Sequence, residues 1–381
     1  MPLQARTSAS LERPSHGGTR LLRSWNKAKI LNYLREHPGL SRAALARTLR
    51  LSPSAVTEIV RDLLDQGLLT EKALPPKGKG RPSLALEVEG ERNLVLVWEI
   101  DVDRMAVALM NLQGEVRIRR LLPPAPNDPD KALTLLQETT RPLLEEVRVL
   151  AAGLSVPGLL DPPEGHLTLA PNLGWKDLPL GELFRKALGE LGLETPWMVE
   201  NEANAAAYGF YAHARGRLAA EDCVYLNLGV GVGGGVVAGG QIYHGARFHA
   251  GEVGHITLDP EGPSCGCGKR GCAEAFLSYR RWQEGASEER LLEMAERLAQ
   301  LAAIILSTLD PSLVVLGGPL AEAAGSFLLA EARARLPRYA LPVHVPEQLV
   351  LSPLGREAVI LGMGALAADR FLEELAFTEV V

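Results

Sequence analysis

Cysteine is scarce in this sequence: four in 381 residues, three of them (Cys265, Cys267, Cys272) within one short loop. Such usage excludes a secreted disulfide scaffold. Long apolar runs are missing too, so a membrane-spanning helix is not expected. The polar, arginine-bearing start lacks the hydrophobic region of a secretory signal, which makes the cytoplasm the expected location. Core-forming residues are not in short supply. With 46% hydrophobic and 23% charged residues the composition is that of an ordinary globular protein, and 381 residues exceed one core, so two or three domains are expected.

The net charge of −6 conceals an asymmetry. Residues 1–82 carry fifteen Lys/Arg against six Asp/Glu, a net of +9, and the remainder carries 25 against 40, a net of −15. A basic block ahead of an acidic body suggests a nucleic-acid-binding module joined to something else.

Residues 1–20, rich in Ser, Pro, Gly and Arg and without periodicity, are expected to be a flexible arm. Leu22, Trp25, Ile30, Leu31 and Leu34 then repeat at helical spacing until His37-Pro38-Gly39. Ser41 caps a second short helix, and Ser52-Pro53 opens a third with Val56, Ile59, Val60, Leu63 and Leu64 inward. Next come the strand-like LLTEK, the basic turn PPKGKGRPS and the strand-like LALEV. The order is that of an all-α winged helix-turn-helix over residues 21–90. Its third helix presents Ser52, Ser54, Thr57 and Arg61 to DNA; Lys77 and Lys79 of the wing follow the phosphates, and Arg81 reaches the minor groove. A three-helix bundle without DNA affinity is the bland alternative.

Residues 251–274, GEVGHITLDPEGPSCGCGKRGCAE, concentrate the chemistry. His255, Cys265, Cys267 and Cys272 read as H-x9-C-x-C-x4-C, the number and softness of ligands for tetrahedral zinc. Four protein ligands close the coordination sphere, so the metal is structural. A disulfide knot or free thiols is the competing reading, but Cys265 and Cys267 are separated by one glycine and meet disulfide geometry poorly. Cys223, in an apolar run, reads as a buried core thiol. His166, His244 and His249 read as loop residues, and Trp175 as a core residue or a cover for a sugar face.

From Asn93 strand-like and helical runs alternate, an α/β signature, and two strand meanders (residues 93–122 and 223–243) are each followed by helices. With the motifs SVPGLLDP, PNLGW, VENEANAAAYG, LNLGVGVGGGVVAGG, AGEVGH, CGCGKRGCAE and VVLGGPL, residues 93 to about 375 resemble the ROK family of bacterial sugar kinases and sugar-responsive repressors. The winged helix in front is similar to the repressor branch, such as xylose repressors. The resemblance implies a two-lobed, actin-like sugar-kinase domain over 91–381, with lobe one at about 91–200 plus the C-terminal helix and lobe two at about 201–360. It also implies sugar contacts at Asn201, Glu202, Glu252, His255 and Glu274, a structural zinc, and a homodimer or tetramer on two-fold operator DNA.

Three departures from the family's kinases argue against catalysis. The phosphate turn that should read Asp-x-Gly-Gly-Thr is here Glu99-Ile100-Asp101-Val102-Asp103, with no glycine and added negative charge. Val230 stands where the second phosphate turn has a threonine. Glu202 replaces the aspartate base, displacing the carboxylate by a methylene. The expected protein is a non-enzymatic regulator, probed by DNA and a monosaccharide; an ATP-dependent sugar kinase with a fused DNA-binding domain is the alternative.

Overall fold

A computed structural model describes residues 19–73, 84–214, 222–285 and 287–377. The N-terminal unit is built from α1 (Thr19–Glu36), α2 (Arg42–Leu49), α3 (Pro53–Asp65), β1 (Leu69–Ala73) and β2 (Leu84–Val88). Helix α1 takes in Thr19 and Arg20, which the sequence reading left in the arm. Ser41 and Ser52 accept from the Ala44 and Ala55 amides and so cap α2 and α3 as their positions require. Strands β1 and β2 pair antiparallel from Leu69↔Val88 to Ala73↔Leu84, making the wing. Its tip, with Lys77, Lys79 and Arg81, lies outside the described residues.

Two sheets of the same topology follow. The first has β3 (Asn93–Ile100), β4 (Met105–Asn111), β5 (Val116–Leu122), β6 (Arg148–Val156) and β10 (Trp197–Asn201) in the order β10-β6-β3-β4-β5. The second has β11 (Cys223–Leu228), β12 (Val232–Ala238), β13 (Gln241–Ile242), β14 (Leu313–Gly317) and β15 (Leu349–Leu351) in the order β13-β12-β11-β14-β15. In each, an antiparallel three-strand meander is extended by two parallel strands on the side of its first strand. Every residue of β3 and β4 is buried, as expected for central strands covered on both faces, whereas the edge strand β5 is largely exposed. A small antiparallel sheet of β7 (Leu159–Asp161), β8 (His166–Ala170) and β9 (Trp175–Leu178) stands beside the first.

Helices α4 (Pro129–Thr140) and α5 (Leu180–Glu190) cover the outer face of the first sheet around Trp98 and Phe184. On the outer face of the second lie α7 (Ala273–Leu277), α9 (Glu288–Leu309) and α10 (Pro319–Arg335), with the short α8 (Tyr279–Gln283) alongside. Between the sheets run α6 (Glu202–Ala214) and α11 (Glu357–Phe377), α6 against β11 and β12, α11 against β3 and β6. These two helices cross at backbone contact: a Cβ on Gly362 would stand 1.7 Å from the Ala205 carbonyl oxygen, so only glycine fits.

The winged helix is not a bead on a string. Its Ile30, Leu31 and Leu34 belong to the same buried cluster as Tyr208 on α6 and Ile360, Met363 and Leu372 on α11. Helix α1 is therefore covered on two sides, which corrects its expected face: Leu22 and Trp25 are half-buried, while Ser24, Lys27 and Ala28 are buried. Lys27 lies 3.9 Å from Asp62 of α3, and burial lowers its pKa.

Candidate functional site

The residues expected to hold a sugar come from strand ends and tight turns of both sheets. At the end of β10, Asn201 accepts from the Ala203 and Asn204 amides through Oδ1, capping α6, and donates through Nδ2 to the Gly158 carbonyl. Glu202, the first residue of α6, has an Oε2 with no exposed surface and no hydrogen-bond donor among the described residues. Burial, then the charges of Asp101 and Glu252, push its pKa up to about 8. The protonated form that burial favours can donate a hydrogen bond.

Glu252 and His255 come from the turn after β13, and Glu274 from the start of α7. Nε2 of His255 is 3.8 Å from Glu252, while its Nδ1 is 3.7 Å from the Cys265 sulfur. Glu274 accepts from the Val232 amide at 3.1 Å, and a Cβ on Gly231 would stand 2.6 Å from its Oε2. That glycine lets the β11–β12 turn close over the carboxylate. The same hypothetical Cβ would lie 3.7 Å from Asn172, so the PNLGW segment reaches this point as well.

The ligand atoms of His255, Cys265, Cys267 and Cys272 lie within 4.8 Å of one another. Two of their edges measure 3.7 Å, Cys267 to Cys272 and Cys265 to His255 Nδ1. A tetrahedral ion with Zn–S bonds of about 2.3 Å sets its ligands about 3.8 Å apart, so the four residues fit zinc. No disulfide joins any of the four cysteines. The loop is pinned independently: Lys269 donates to the His255 carbonyl, and Arg297 of α9 holds Asp259 at 2.9 Å.

The turn between β3 and β4 is held by charged side chains of the protein itself. Asp103 is paired with Arg356 at 2.7 Å, and Arg356 also lies 3.6 Å from Glu322 on α10. Arg104 donates to Glu99 at 3.1 Å and to the Arg356 carbonyl at 3.2 Å. The added negative charge of Asp103 is thus paired with Arg356. Burial pushes Asp101 up to about 6, against the Val102 amide that it accepts, and Glu99 up to about 7, against Arg104.

Two residues received other roles. His244 is not a free loop residue: its Nε2 is 2.8 Å from Glu200, whose other oxygen accepts from the Asn201 amide and Asn204 Nδ2. Burial alone would lower the His244 pKa, but the Glu200 bond and charge outweigh it and raise it. Local sequence offers no sign of this pair because its partners are 44 residues apart. Trp175 is 2% exposed and belongs to the core, so it covers no sugar. Cys223 is fully buried, with its thiol pushed up to about 12 by burial, as the apolar run implied.

On the winged helix, Ser52, Ser54 and Arg61 are exposed along α3. The Ser52 and Thr57 hydroxyls are partly committed, Ser52 to the Ala55 amide and Thr57 to the Pro53 carbonyl.

A duplicated α/β fold behind a winged helix defines a sugar-kinase-like protein with a DNA-binding module. Residues 98–370 match the ROK family, and the chain belongs to it; residues 26–70 match the winged helix-turn-helix DNA-binding family. The xylose repressor of Caldicellulosiruptor bescii is 26% identical over 400 residues, covering 93% of this chain and 98% of that protein. The N-acetylmannosamine kinase of Escherichia coli O157:H7 is 33% identical, covering 71% of this chain and 97% of its own. A solved ROK family transcriptional regulator, a homologue of the E. coli MLC protein, superposes with a TM-score of 0.75 over 93% of this chain and 98% of its own at 23% identity.

Proposed function

We propose that the protein is a sugar-responsive DNA-binding repressor. The observation that carries this reading is the β3–β4 turn, which the resemblance sets against the kinases' phosphate turn and where Arg356 sits between Asp103 and Glu322, in a ROK fold that carries a winged helix. Kinases of this fold need that turn open to a triphosphate; an ion pair already there competes with the nucleotide.

The monosaccharide lies between the lobes, bonded by Asn201, Glu202, Glu252, His255 and Glu274. Glu252 and Glu274 accept from vicinal hydroxyls, and neutral Glu202 donates to one. His255, Cys265, Cys267 and Cys272 hold a structural zinc, which supplies a fixed charge that locks the loop. His255 turns Nδ1 to the sulfurs and Nε2 to the sugar side. Xylose is the first effector to test, since the repressor relative's name carries it. Ser52, Ser54, Thr57 and Arg61, with Lys77, Lys79 and Arg81 of the wing, contact operator DNA in the cytoplasm, and a homodimer or tetramer matches a two-fold operator. Sugar binding shifts the population of lobe arrangements and with it the spacing of the recognition helices.

A panel of aldoses and amino sugars tested by thermal shift, each with and without an ATP analogue, examines this reading. A sugar-dependent rise in Tm that the analogue leaves unchanged is expected. Sugar-dependent ATP consumption would instead favour the kinase reading, which the N-acetylmannosamine kinase relative keeps in view.

A further inference from the structure

Helix α6 starts in the cleft with Glu202 and, two turns on, buries Tyr208, which is 3% exposed. The Tyr208 hydroxyl donates to Oδ2 of Asp369 on α11. The other Asp369 oxygen, Oδ1, accepts from Arg35 Nη2 at 2.8 Å, and Arg35 lies in the last turn of α1 of the winged helix. Both side chains of this ion pair are only 10% exposed. Three helices from three parts of the chain thus meet on one buried carboxylate, with partners 161 and 334 residues away in sequence.

A buried guanidinium that loses its carboxylate is left with an uncompensated charge, so such a contact behaves as made or broken and tolerates little drift. Around it the helices pack at backbone contact, α6 against α11 through Gly362, and Leu31 and Leu34 share the core of α11. Rotation or translation of α6 therefore carries Tyr208 against Asp369 and is felt at α1. Through α1 it reaches α3, because Arg23 of α1 is 2.8 Å from Asp62 of α3.

We propose that Asp369 is the coupling residue between the cleft and the DNA-binding domain: the Tyr208–Asp369–Arg35 triad holds the winged helix in register with α6. The role of α6 as a sugar-lining helix rests on the functional reading above; the mechanical link does not.

Hydrogen–deuterium exchange on the full chain tests the link without sugar, using Tyr208→Phe and Asp369→Asn. Tyr208→Phe removes one hydroxyl from α6 and leaves the Arg35–Asp369 pair intact. We expect amides in the second half of α1 to exchange about tenfold faster in Tyr208→Phe and faster still in Asp369→Asn, as local opening free energies fall. The double variant Arg35→Met/Asp369→Leu, which strands no charge, guards against a global loss of fold. It should keep the wild-type Tm within a few degrees and still uncouple α1. Unchanged α1 exchange in all three folded proteins would overturn the proposal. D-xylose is then added to each. If it alters α1 exchange in the wild type, the same dose should leave α1 unaltered in the double variant, although the sugar still raises its Tm; a preserved α1 response there would also overturn the proposal. If neither D-xylose nor the wider panel binds the wild type, the sensor reading fails while the sugar-free exchange data still decide the link.

Discussion

His255 meets two demands with one ring. Its Nδ1 faces the Cys265 sulfur at 3.7 Å and its Nε2 faces Glu252 at 3.8 Å, so a metal on one nitrogen would fix the tautomer and the direction of the other. The sulfur ligands therefore matter to the sugar-side residues through His255, and Cys265 also donates to Glu274 at 3.5 Å. Cys265→Ser should lower bound zinc from about one per chain towards none by elemental analysis and abolish sugar response, while operator binding persists. An undiminished response in the zinc-free variant would contradict this. Glu202 makes a second prediction at this scale. Its folded pKa of about 8 exceeds the ordinary carboxylate value of 4.5, so the unfolded chain releases this proton first as pH rises. The stability it contributes is complete below about pH 4.5 and is lost as pH climbs through about 8. Glu202→Gln removes that dependence: the Tm of the sugar-free variant should gain on that of the wild type from pH 5 to about 8 and level off above it, whereas parallel curves would show that the group is not perturbed.

Among the elements, the β11–β12 turn is the most exposed to a single change. Gly231 has no Cβ, and one placed there would meet Glu274 Oε2 at 2.6 Å. Gly231→Ala must therefore displace Glu274 from the Val232 amide. Sugar affinity should fall on the order of tenfold by calorimetry, the loss of about one hydrogen bond, with zinc content and DNA binding retained. Much of this level was legible in the sequence. The caps at Ser41 and Ser52, both meanders and the zinc spacing are local patterns, and local patterns survive the reading of a chain from one end. The Arg356–Asp103 pair, the Glu200–His244 pair and the Lys27–Asp62 pair were not legible. Each joins residues far apart in sequence, and no periodicity announces a partner on another sheet. The same limit hides from the sequence that the negative charge of Asp103 has Arg356 as its partner.

At the scale of the molecule, the arrangement of parts is what permits regulation. One core runs from the winged helix through α1, α11 and α6 to both sheets, so the DNA-binding module and the cleft share a rigid centre instead of a tether. The two sheets repeat one topology, each bringing strand ends and turns to the cleft, and a sugar that bonds both lobes can favour one arrangement of the recognition helices over another. The most direct measurement of that claim is operator affinity, by fluorescence anisotropy on a selected DNA site, titrated with D-xylose and then with other aldoses and amino sugars to millimolar concentration. The predicted result is a change of roughly 5- to 150-fold in the DNA Kd for at least one sugar, the range of an allosteric coupling of about 1–3 kcal/mol. Affinity unchanged by every sugar, on DNA that the protein binds specifically, would contradict it.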